Sequence, residues 1–100
     1  MGKIRIEKTY DGKSPDDCYN AAPSAFKKAG FEIFKKREIA WLVIGHRSEE
    51  NYLIQASIGA RPPAVSATVT LSVSCDDLEK ENLQKYADFI MEEFEKELTK

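Results

Sequence analysis

Histidine occurs once in this chain of 100 residues, tryptophan once and cysteine twice. One histidine builds no metal centre without thiols or carboxylates at ligand spacing, and Gly45-His46-Arg47-Ser48 offers none. His46 therefore reads as a structural or solvated side chain between a strand and a polar loop. Cys18 and Cys75 form neither a C-x-x-C pair nor a disulfide framework. Both fall on faces expected to be buried, where a free thiol packs as a small hydrophobe. Asp16 and Asp17 beside Cys18 oppose a thiolate, and no histidine stands ready as its base, so nucleophilic catalysis is not indicated.

Other absences exclude further classes. No run approaches the roughly 18 apolar residues that a membrane span needs. The start, Met1-Gly2-Lys3-Ile4-Arg5, lacks the apolar core of a signal peptide, and Ile6 stands where a myristoylation pattern needs Ser or Thr. A soluble, cytoplasmic protein is the expectation. There is no basic excess: the net charge is -2, so the molecule as a whole does not attract nucleic acid or an anionic membrane. The charge is unevenly spread, with net +3 over residues 1–61 and net -5 over residues 62–100. The acidic part reads as the solvated face of a last helix.

What is present is 42% hydrophobic and 32% charged, as in ordinary globular proteins, and the length suits one domain over residues 1–100. The strongest pattern is Ala64 to Cys75. Val65, Ala67, Val69, Leu71, Val73 and Cys75 alternate with Ser66, Thr68, Thr70, Ser72 and Ser74, which predicts a strand with one buried and one polar face. Lys3 to Thr9 alternates in the same way around Ile4 and Ile6. Ser14-Pro15-Asp16-Asp17 opens a helix: a cap, a proline suited to the first turn, and acids at the positive end of the dipole. Its stripe is Cys18, Ala21, Ala22, Ala25, Phe26 and Ala29, and Gly30 ends it. Pro23 predicts a kink near Tyr19 to Ala22, or two short helices.

Phe31 to Arg37 and Ile39 to His46 read as strands joined near Lys36-Arg37-Glu38. Both alternation sets of Ile39-Ala40-Trp41-Leu42-Val43-Ile44 are apolar, which predicts a strand that is buried on both faces or sits centrally in the sheet. Tyr52 to Ile58 reads as a further strand, and Gly59 to Pro63 as a loop. Asp76 with Glu79 reads as a capping box for a helix reaching about Leu98, with Leu83, Tyr86, Ala87, Ile90, Met91, Phe94 and Leu98 as its buried stripe.

The order is β-α-β4-α. It predicts an α+β fold with a mostly antiparallel, curved five-stranded sheet, two helices on one face and a long C-terminal helix. This order resembles two arrangements, the half-repeat of the TATA-binding-protein-like fold and a shortened START-like helix-grip fold. The resemblance covers nearly the whole chain as element order alone, and no motif residue carries a family site across. The helix-grip resemblance implies a ligand space between sheet and last helix. Trp41, Tyr52, Tyr86, Met91 and Phe94 are the candidate residues there.

The expected function is accordingly a small non-enzymatic binding domain that holds a small apolar ligand between sheet and C-terminal helix. The alternative is a protein-interaction or oligomerisation domain that uses the Ser/Thr face of the sheet. Lys27, Lys28, Lys35, Lys36 and Arg37, with Phe34 and Trp41 close in sequence, are the residues a nucleic-acid surface would use, although the charge balance disfavours that partner. No cofactor is expected, and no acid–base or nucleophile–base pair stands at a readable spacing.

Overall fold

A computed structural model describes residues 2–100. Five strands, β1 (Gly2–Asp11), β2 (Glu32–Arg37), β3 (Leu42–Ser48), β4 (Leu53–Arg61) and β5 (Ser66–Cys75), form one sheet in the order β1-β5-β4-β3-β2. All four pairings are antiparallel. Two helices, α1 (Pro15–Lys28) and α2 (Lys80–Leu98), lie side by side on one face. α1 packs on β2 to β4 and α2 on β1 and β5.

The alternation in β5 does what its spacing demands. Ala67, Val69, Leu71, Val73 and Cys75 are buried under the helices, and the hydroxyl residues between them face outward. Register carries that division across the sheet. Ile4 pairs with Val73 and Ile58 with Leu71, so each row of side chains shares a face. Leu83, Ala87, Ile90, Phe94 and Leu98 close the core from the α2 side, and Ala22, Ala25 and Phe26 from the α1 side.

α1 begins as expected. Asp17 N–H donates to Ser14 Oγ at 3.1 Å, and Ser14 N–H to the Asp17 carboxylate at 3.0 Å. Pro23 neither ends nor divides the helix, which is assigned without interruption from Pro15 to Lys28. The buried alanines and Phe26 hold it to the sheet where one backbone bond is missing.

Four boundaries depart from the sequence expectations. Ile39 to Ile44 is not a strand buried on both faces: Glu38–Ala40 form a 3-10 turn, Ile39 is 93% exposed, and Trp41 is left-handed at φ 47°. The chain reverses there to form the β2–β3 hairpin. Leu42 and Ile44 then fall on the sheet face that no helix covers, where they are half-buried. The capping box at Asp76 and Glu79 is absent. Glu79 itself is the cap residue of α2, with no side-chain cap bond. The segment before it runs against the start of β1, where a Cβ on Gly2 would come within 2.6 Å of the Leu78 carbonyl oxygen. That approach leaves Asp76 to Leu78 as connection.

The expected loop at Gly59 is strand as far as Arg61, because the ladder continues until Pro62 and Pro63, which have no donor. β5 starts at Ser66, opposite Asp11, and leaves Val65 exposed before the ladder begins.

Candidate functional site

Where α1 ends, the chain must turn sharply into β2. Ala29 N–H still donates to the Ala25 carbonyl, and Gly30 takes φ +82°. Phe31 N–H returns to the Phe26 carbonyl at 2.8 Å. This turn stands opposite the second and third turns of α2 and beside the end of β3. Lys28, Ala29 and Gly30 from the turn, Arg47 from β3, and Lys85, Tyr86 and Phe89 from α2 line a cleft of about 440 Å³.

Arg47 is the most constrained of these. Its Nη1 donates to the Ala29 carbonyl at 2.8 Å and its Nε to the Glu49 carboxylate at 2.6 Å. Its guanidinium carbon lies 5.2 Å from the centre of the Tyr86 ring. Gly30 makes room for it, since a Cβ there would stand 3.1 Å from Nη1. Gly30 is thus required twice, for its backbone angle and for the approach of the guanidinium.

Tyr86 joins the cleft to the core. Its ring meets Phe31 edge-on at 6.5 Å, and Phe31 meets Phe26 at 5.8 Å. The Lys85 ammonium stands 5.3 Å from the same Tyr86 ring. Phe89 is 46% exposed, one helical step away from the buried stripe. A hydrogen bond with Tyr86, followed by desolvation, raises the pKa of the Tyr52 phenol.

The five residues named from sequence do not converge on one point. Tyr52 and Tyr86 come together at the cleft end of the sheet. Met91 and Phe94 are buried in the core, where Phe94 meets Tyr10 edge-on at 5.8 Å. Trp41 lies at the other end of β3, about 20 Å away along a seven-residue strand. Its indole N–H donates to the Asp16 carboxylate at 2.8 Å.

Five cleft residues were not among the sequence candidates: Ala29, Gly30, Arg47, Lys85 and Phe89. Phe89 alone had a readable signal, a large apolar side chain off the buried stripe of its helix. Arg47 looked like loop polarity, and only the fold brings it to Gly30 and Tyr86.

The remaining chemistry-bearing residues stand elsewhere. His46 stacks on Phe34 at 4.3 Å on the uncovered sheet face, so Phe34 and Trp41 do not share a surface. Lys36 stands 5.3 Å from the Tyr19 ring. Cys18 and Cys75 are free and buried. Burial first and Asp17 second push the Cys18 thiol up to about 11, which disfavours its thiolate. Among the described residues no group of histidine, cysteine and carboxylate side chains is arranged to hold a metal ion. Among the described residues no helix is long and apolar enough to cross a membrane.

No protein-family model matches the chain, and no curated protein matches it in sequence. Solved structures share its fold. A protein from Nitrosospira multiformis is similar over 92% of both chains, at 12% identity and a TM-score of 0.63. A major latex-like protein from Panax ginseng is similar over 97% of this chain and 94% of its own, at 17% identity and a TM-score of 0.60. Ara h 8.0201 is similar over 99% of this chain and all of its own, at 9% identity and a TM-score of 0.59. The last two are helix-grip proteins. Of the two resemblances drawn from element order, the helix-grip arrangement is the one these structures share. At such identities the likeness concerns the fold alone.

Proposed function

We propose that this chain is a non-enzymatic binding domain that takes a small apolar ligand between its sheet and C-terminal helix. The ligand enters at the cleft beside Tyr86. The observation that carries this reading is the cleft itself: about 440 Å³, with the exposed Phe89 and the ring of Tyr86 on its wall. That volume lies within the usual range of small-molecule sites, and aromatic walls with a few polar groups are their usual lining. Tyr52 supports Tyr86 through the hydroxyl contact. Met91 and Phe94 belong to the packed core, and Trp41 has no part in this site. The fold shared with the latex-like protein is consistent with the reading. The free, buried thiols suit a reducing cytoplasm.

The test is binding of a neutral apolar dye such as Nile red, followed by competition with small apolar compounds. The dye should brighten on mixing and be displaced. Phe89→Ala should weaken its binding at least fivefold while changing stability by no more than about 0.5 kcal/mol, as for a surface substitution. A dye that binds Phe89→Ala as well as the parent chain would remove the cleft from the account.

One observation favours a second reading. The outer sheet face has no helix on it, and it combines the hydroxyls of Ser66, Thr68, Thr70, Ser72 and Ser74 with Phe34, which is 65% exposed. An oligomerising face would show as a mass that rises with concentration in sedimentation. A constant monomer mass would oppose that reading.

A further inference from the structure

The cleft wall is apolar in Tyr86 and Phe89, yet every charged side chain on it is a cation: Lys28, Arg47 and Lys85. Their existing partners are unequal. Lys28 pairs with Glu97 at 2.8 Å and Glu93 at 3.9 Å, outside the lining. Arg47 uses Nε on Glu49 and Nη1 on the Ala29 carbonyl, and its Nη2 donates to no partner among the described residues. Lys85 has no carboxylate at ion-pair distance among the described residues and approaches only the Tyr86 ring.

Two cations therefore stand within 5.3 Å of the centre of one ring and line the same cleft. An anion seated in the cleft can accept from both and form charge-assisted hydrogen bonds. Arg47 is already held by two hydrogen bonds and the ring, so little side-chain freedom remains to be lost on binding. The apolar wall and the cationic wall meet at Tyr86.

Resting on the binding function proposed above, we infer that the ligand is an amphipathic organic anion. Its ring or short acyl body lies against Phe89 and Tyr86, and its carboxylate, or a phosphate in the same place, is taken by Arg47 and Lys85. A bare inorganic anion lacks the apolar body, and a neutral ligand leaves the cation pair unanswered.

The experiment compares phenylbutyrate with phenylbutanol, which share a body and differ in charge, by amide NMR titration of the full chain. Inorganic phosphate forms a third arm. The acid should bind about tenfold more tightly than the alcohol at low salt, and added salt should narrow that gap. Lys85 is exposed, so Lys85→Gln keeps the fold. It should weaken the acid severalfold and leave the alcohol unchanged. Phosphate alone should shift the same amides only at far higher concentration. Equal binding of acid and alcohol, or an acid insensitive to Lys85→Gln, overturns the anion assignment and leaves the apolar site standing. Phosphate binding as well as phenylbutyrate overturns the amphipathic body. Absence of binding by all three overturns this inference together with the function on which it rests.

Discussion

Phe94 shows how a residue can look like a ligand contact and be core. It has no exposed surface and meets Tyr10 edge-on, while the Tyr10 hydroxyl donates to Glu95 at 2.9 Å. Truncation would leave a void between helix and sheet. Phe94→Ala should cost about 3–5 kcal/mol in denaturant unfolding. A loss near 1 kcal/mol or less would mean that the core around Phe94 is already loosely filled. Glu97 gives a second prediction. Lys100, Lys28 and Ser24 hydrogen-bond its carboxylate and hold it at about 2, against an ordinary 4.5. A carboxylate depressed in the folded state stabilises fully above its unfolded value, and that contribution is lost as pH falls through the folded value. Acid should therefore erode stability between about pH 5 and pH 2 in the parent chain, and less steeply in Glu97→Gln. Parallel acid profiles for the two, measured by urea midpoints, would show that the Lys28 and Lys100 contacts are too well screened to matter.

Among the elements, the start of α1 is held locally. The reciprocal bonds of Ser14 and Asp17 satisfy two orphan donors. Ser14→Ala should cost about 1 kcal/mol in thermal or denaturant unfolding. No loss would mean that packing of Ala22 and Phe26 alone places the helix. This was the kind of feature the sequence made legible, as was β5: cap chemistry and strict alternation are written in adjacent residues. The start of α2 was not legible. Asp76 and Glu79 have the spacing of a capping box, but the approach of Leu78 to Gly2 is a contact between segments far apart in sequence and moves the helix start to Lys80. Ile39 misled for a related reason. Its apolar run suggested burial on both faces, but the helices cover only one face, and a hairpin reversal takes Ile39 into solvent. Arg47 belongs to the same class. Its role depends on a turn seventeen residues earlier and a helix nearly forty residues later, and neither leaves a mark on the residues beside it.

For the whole molecule, the sheet has two unlike faces and the two helices meet only one of them. The covered face is packed beneath Phe94 and Ile90 and opens at the end where α1 stops and α2 begins its second turn. The acidic bias after residue 61 does not reach this opening, whose lining carries three cations. Shape and local charge together therefore favour a ligand at one end of the helix–sheet seam over a surface spread along α2.

The most direct test is a backbone amide NMR titration of the chain with a mixture of fatty acids and aromatic metabolites. Shifts gathered at Ala29, Gly30, Arg47, Tyr52, Tyr86 and Phe89 are expected, with the outer row from Ser66 to Ser74 unmoved. Shifts confined to that outer row, or none anywhere, would contradict a ligand seated between the sheet and its C-terminal helix.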